Sequence, residues 1–196
     1  MQLQRELPAI LETWLDFVNA HERVVAETGD AIPGPSLELL SAFAGAFVAG
    51  LSGGAADPFA CGTYVALPGG ARALIAVASE ERGEDFGMVL DADRVTGDWV
   101  ALVAFRRNRP VAVHLIESRQ MGALGRALGV GKPKPPEAPP TAMVLSTAFH
   151  WNLCLERLTA EVFGVRTYYV STGGMSCDPH PIALPPTVIL PVGDVA

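Results

Sequence analysis

The run from Asp98 to Glu117, DWVALVAFRRNRPVAVHLIE, constrains the fold more than any other part of the chain. It reads as two apolar strands about a short polar turn at Arg107-Asn108. Opposed positions across such a turn sum to one constant, so Arg106 is expected to face Arg109 and Asp98 to face Glu117. Between those ends both alternating sets of side chains are apolar. A sheet with one wet face alternates polar and apolar residues, and this hairpin does not. It is therefore expected at the centre of a sheet covered on both sides.

The flanking sequence supplies covers for such a sheet. Leu3, Leu7, Ile10, Leu11, Trp14, Leu15 and Val18 recur at helical spacing over residues 3–27, with an interruption expected near Pro8. GDAIPGP is a breaker, and Ser36 caps a second helix, SLELLSAFAGAFVAGL, with Glu38 in its first turn. Ala42, Gly45, Ala46 and Ala49 are small, so another backbone is expected to approach this helix closely. TYVAL, ARALIAVAS and DFGMVLDA read as strands, and the short breaks between them predict an antiparallel meander leading into the hairpin. A short helix follows over Arg119–Leu128. Thr141–Phe163 is expected to be helical, ended by Gly164, and VRTYYVS to be a strand. Residues 129–141 form a Pro-rich connector and residues 172–196 an extended tail, too rich in proline for a central strand. The expected fold is one α/β domain over residues 1–196 in an α+β arrangement, a central, mostly antiparallel mixed sheet flanked by helices.

Composition narrows the function classes. Hydrophobic residues make up 49% of the 196, enough for a substantial core. Fourteen Lys and Arg stand against 21 Asp and Glu, a formal charge of −7 that disfavours nucleic acid as a partner. Cys61, Cys154 and Cys177 are too few and too scattered for a disulfide framework, which fits a reducing compartment. The N-terminal residues lack the basic start and apolar run of a signal peptide, and Leu39–Leu51 is too short to span a bilayer. A cytoplasmic location without membrane attachment is expected.

Two constellations could carry chemistry. Asp98, Glu117 and Arg119 share one face in the expected register, and two carboxylates at a strand mouth can hold Mg²⁺. The order helix, three-stranded meander, helix and strand, with an acid opening the second strand and E-x-[basic] closing the third, resembles the PD-(D/E)xK nuclease core over roughly residues 36 to 171. That resemblance implies a divalent-metal phosphodiesterase, or its inactive descendant, with Asp98 and Glu117 on the metal and Arg119 in the place of the family's lysine. Arginine stays protonated, so Arg119 could stabilise charge but not accept a proton. On the other reading Asp98 and Glu117 end strands in solvent and Arg119 relieves their repulsion.

The second set is His150 and Cys154, four apart on the expected helix, with Cys177 and His180 downstream. Together they supply the ligand types and number that tetrahedral zinc accepts, and a zinc staple would hold the tail. Alternatively Cys154 is a small buried residue and the others are ordinary surface positions. Cys61, in a loop beside glycine, could act as a nucleophile only with a histidine base such as His114 or His150. Asp91 and Asp93 begin like a calcium loop, but Leu102 stands where the bidentate acid belongs. His114, on an apolar strand face grouped with Trp99, Ala101, Val103, Ala112 and Ile116, is expected to be a hydrogen-bonded core residue. Arg106, Arg107 and Arg109 gather three guanidinium groups at the hairpin tip, solvated or forming a small anion or partner site. With no assignable catalytic signature, the leading expectation is a domain that binds a protein partner or small ligand. Its apolar content, small-residue helix and Pro-rich tail make self-association or docking part of that expectation.

Overall fold

Pro8 and Gly29 bracket the first helix. A proline ring does not fit inside a helix, and α1 (Ile10–Thr28) starts just beyond it; Gly29, at φ 66°, supplies the left-handed cap. The helix expected from residue 3 thus begins at Ile10. α2 (Leu37–Ser52) opens as the capping signal predicts, the Leu39 N–H donating to the Ser36 hydroxyl at 3.2 Å. In this computed structural model the described residues are 1, 3, 4, 7–29, 32–56, 64–80, 87–91, 97–128, 142–146, 150, 153, 161–171 and 174–177.

The strands follow as β1 (Ala55–Ala56), β2 (Tyr64–Ala66), β3 (Arg72–Ser79), β4 (Gly87–Asp91), β5 (Trp99–Arg106) and β6 (Arg109–Glu117). After a 3₁₀ turn at Ser118–Gln120 come α3 (Met121–Ala127), β7 (Ala142–Ser146), β8 (Arg166–Ser171) and β9 (Gly174–Cys177). Among the described residues a seven-stranded sheet runs β1-β2-β3-β5-β6-β8-β9, and β4 and β7 form a separate antiparallel pair. The β5–β6 hairpin is central, as its two apolar faces require. Every neighbouring pair in the large sheet is antiparallel except β3 and β5, which run parallel. The arrangement is α+β around a mixed sheet.

Two expectations are corrected here. The meander is broken, because β4 leaves the sheet and lets β3 lie directly against β5. The strand that β4 joins, β7, occupies residues expected to be helical. Ala142-Met143-Val144-Leu145 is a continuous apolar run, and such a run has no period to separate a buried strand from a buried helix. Helical backbone is present later, at His150, Leu153, Glu161 and Val162, and Gly164 follows with φ 67°. The connector and all but the start of the tail lie outside the described residues; Gly174–Cys177 adds an edge strand to β8.

The sheet is covered on both faces. One side carries Ile75, Val77, Ala101, Val103, Phe105, Val113 and Leu115 against α1 and α2, where Trp14 stacks on Phe43 at 4.4 Å. The other carries Leu74, Ala76, Val100, Leu102 and Ile116 against Met121 and Leu124 of α3 and against Leu153. Among the described residues no helix is long and apolar enough to cross a membrane.

Of the small residues expected to admit a close neighbour, Gly45 and Ala49 are buried and Ala42 is exposed; the tight contact lies instead at Gly50, against the side chain of Pro8. A Cβ placed there would stand 2.7 Å from Pro8 Cβ. Gly→Ala inside a helix ordinarily adds roughly 1 kcal/mol of stability. We expect Gly50→Ala to lower it instead, by about 1–3 kcal/mol of overpacking, read as a reduced urea midpoint with unchanged slope. A gain in midpoint would show that the Pro8 segment yields freely.

Candidate functional site

The hairpin turn at Arg107-Asn108 places both residues in the left-handed region, at φ 47° and 58°. This is the backbone of a type I′ turn, whose twist matches the flanking strands and which glycine and asparagine adopt most cheaply. Beyond the tip the register matches expectation for Arg106–Arg109 and Phe105–Pro110, then shifts. Ala104 pairs with Ala112, so Val111 is an extra residue, a β-bulge. From there to the mouth every β6 residue is offset by one, and Glu117 faces Trp99 rather than Asp98. His114 accordingly pairs with Leu102 and shares its face with Val100, Ala104 and Ile116, not with Trp99, Ala101 and Val103.

The hairpin tip is fastened to α1. The Trp14 indole N–H donates to the Asn108 carbonyl at 2.7 Å. The guanidinium of Arg109, only 5% exposed, donates to both oxygens of Glu22 at 2.6 and 2.8 Å and to Asn19 Oδ1 at 2.6 Å. That paired geometry holds the Glu22 carboxyl below its ordinary pKa, with weaker pulls from Arg107 and His21 and an opposing effect of burial. Arg106 pairs with Glu80 at 2.9 Å. The three tip arginines therefore separate: Arg106 and Arg109 are engaged by carboxylates, and Arg107 is exposed with no ion pair among the described residues.

Between this tip, the last turns of α1 and residues 32–35 lies a cleft of about 630 Å³. Val25, Ala26, Ile32, Pro33 and Pro35 give it an apolar wall, and His21, Glu22, Arg107 and Asn108 its polar rim. His21 braces one side. Its Nε2 lies 3.1 Å from the Pro33 carbonyl, which can only accept, so Nε2 carries the proton. The sequence marked the tip arginines but treated residues 29–35 only as a breaker, and nothing local to either segment shows that they meet.

The second polar cluster is inside the protein. His114 Nε2 lies 2.7 Å from His150 Nδ1, and His114 Nδ1 lies 2.8 Å from Thr167 Oγ1, with all three residues buried. His114 is thus the hydrogen-bonded core residue its apolar strand predicted. Two proton orders satisfy this chain, one running from Thr167 through His114 to His150 and one the reverse. Burial lowers the pKa of both rings, that of His150 to about 4, and the neighbouring His150 adds to the lowering at His114. Both imidazoles are neutral at pH 7. Closed off from solvent, they link β6, β8 and the helical residue His150 and offer no surface to a substrate.

The other sequence-derived candidates are placed as follows. Asp98 is exposed, and its Oδ2 accepts the Arg72 backbone N–H at 2.9 Å, while its own N–H and carbonyl bond to Arg72 and Ser118. Glu117 accepts from Arg119 Nε and Nη2 at 2.6 Å, with Arg119 largely in solvent. Glu117 and Arg119 are brought together; Asp98 serves the turn before β5. Of the proposed zinc ligands, Cys154 and His180 lie outside the described residues, as does Cys61. His150 bonds to His114, and the Cys177 backbone stands opposite Tyr168. Among the described residues no group of three or more His, Cys, Asp or Glu side chains could hold a metal ion.

Comparison with known proteins finds no matching family model, no similar curated protein and no similar solved structure.

Because the two buried imidazoles are neutral when folded and take up protons near pH 6.5 when unfolded, the unfolded chain binds more protons below that value. Stability therefore falls as pH drops from about 6.5 toward 4. Between pH 7 and 5 the loss from His150 alone is expected to be about 2 kcal/mol, measured by urea denaturation at the two pH values. Imidazole NMR titration is the direct check: neither ring should titrate above pH 5, and a midpoint near 6.5 for either would contradict the neutral chain.

Proposed function

We propose that the protein is a binding domain that receives a small ligand in the cleft between α1 and the β5–β6 tip. The observation that carries this reading is the cleft's combination of size and lining. Its 630 Å³ falls within the roughly 300–1,000 Å³ of small-molecule sites, which are mostly apolar with a few convergent polar groups. The walls are held by long-range contacts, Trp14 to Asn108 and Arg109 to Glu22, so the site is formed before a ligand arrives. A ligand-observed NMR fragment screen on the full chain tests it. Fragments that bind should lose binding in Ala26→Trp, which fills the cleft from α1. Hits indifferent to that substitution would place the binding surface elsewhere.

Self-association is the second reading, and one observation favours it. Ile10, Phe17 and Val24 are exposed at 38, 42 and 45% and recur every seven residues, forming an apolar stripe along the outside of α1. A second copy of α1 would cover this stripe. Sedimentation velocity on the full chain should then show a dimer that Phe17→Glu dissociates. A monomer at all concentrations would exclude it.

A further inference from the structure

We infer that the ligand of this cleft is a carboxylate carried on an apolar body, with Arg107 as its anchor. The inference rests on the proposal that the cleft is the binding site, and adds the chemistry of what it holds. The charges on the rim are unevenly committed. Glu22 is neutralised by Arg109 through two short hydrogen bonds, and Arg106 is turned to Glu80. Arg107 remains, exposed at the cleft and without an ion pair among the described residues, in a chain whose formal charge is −7. A local cation uncovered against that background is complementary to an anion.

The backbone points the same way. Arg107 holds φ 47° at the first central position of the turn, where asparagine or glycine would sit with less steric cost. Turn chemistry does not call for arginine there, so the side chain is the feature to be explained. A guanidinium matches a planar carboxylate with two parallel hydrogen bonds. With Glu22 and Arg109 compensating each other, Arg107 supplies a single positive charge at the cleft, which matches a monoanion rather than a phosphate dianion. Val25, Ala26, Ile32, Pro33 and Pro35 then require an apolar body behind the carboxylate.

The test uses 4-phenylbutyrate and its uncharged counterpart 4-phenylbutanamide, titrated into the full chain and followed by NMR. The reporters are the Trp14 indole N–H, which bonds to the tip, and the Gly34 amide in the cleft wall. Arg107→Gly is the informative variant, because glycine suits the positive φ and the fold should be retained. The carboxylate is expected to bind at least about ten-fold more tightly than the amide, and Arg107→Gly to erase that difference while leaving the thermal midpoint undiminished. Equal binding of the two compounds, unchanged in Arg107→Gly, would overturn the anion assignment and leave the cleft as a binding site. Neither compound moving the cleft resonances, with fragment hits insensitive to Ala26→Trp, would overturn both.

Discussion

One extra residue in β6 decides what each face of the sheet contains. Side chains alternate along a strand, so the unpaired Val111 reverses the facing of every β6 residue between itself and Glu117 relative to an unbroken register. With the bulge, Val113 and Leu115 meet the α1–α2 side, and His114 and Ile116 meet the α3 side. His114 is thereby set opposite Thr167 on β8 and within reach of His150. Without it the imidazole would face Trp14, Phe43 and their neighbours, a layer of aromatic and aliphatic side chains. A buried imidazole bonded at both ring nitrogens is tolerable; one left unbonded is not.

The opposite end of the hairpin is governed by how a buried charge is satisfied. Arg109 is almost wholly buried, and it is held there by a bidentate carboxylate and an asparagine one helical turn apart on α1. This fixes the distance between hairpin tip and helix, and the indole bond of Trp14 fixes it again further along α1. The cleft is the space left when a tip so anchored meets the chain that turns from α1 into α2. Its polarity is a by-product of that anchoring. Two of the three tip arginines are consumed by carboxylates, and only the one at the strained turn position is left facing solvent.

Much of the local structure was legible in the residues. Ser36 with Glu38 marked the start of α2, Gly164 the end of a helical stretch, and the Arg107-Asn108 turn was placed correctly from polarity alone. The centrality of the hairpin followed from its two apolar faces. The Val111 bulge had one mark in the sequence, the adjacent Pro110, which a central strand tolerates at a bulge; the alanine and valine that follow suit both faces and do not show which way the register moves. Nor could the sequence separate β7 from a helix, because Ala142–Leu145 is apolar without interruption. The candidate site was half visible: the cluster of arginines drew attention to the tip, but the hydrogen bond between His150 and His114, 36 residues earlier, had no signal in the helical spacing that grouped His150 with Cys154.

Local signals act over a few residues, and the sequence by itself therefore determined where α1, α2 and most of the strands lie and that β5 and β6 must be covered on both faces. Caps, turns and hydrophobic period are properties of neighbouring residues and survive in any context. The partners were decided only by the tertiary structure. The departure of β4 from the sheet, the parallel contact of β3 with β5, the His114–His150 chain and the cleft beneath Arg107 all depend on pairings between distant segments. The deciding energies there are burial and polar satisfaction summed over the whole core, and no short stretch of sequence contains that sum.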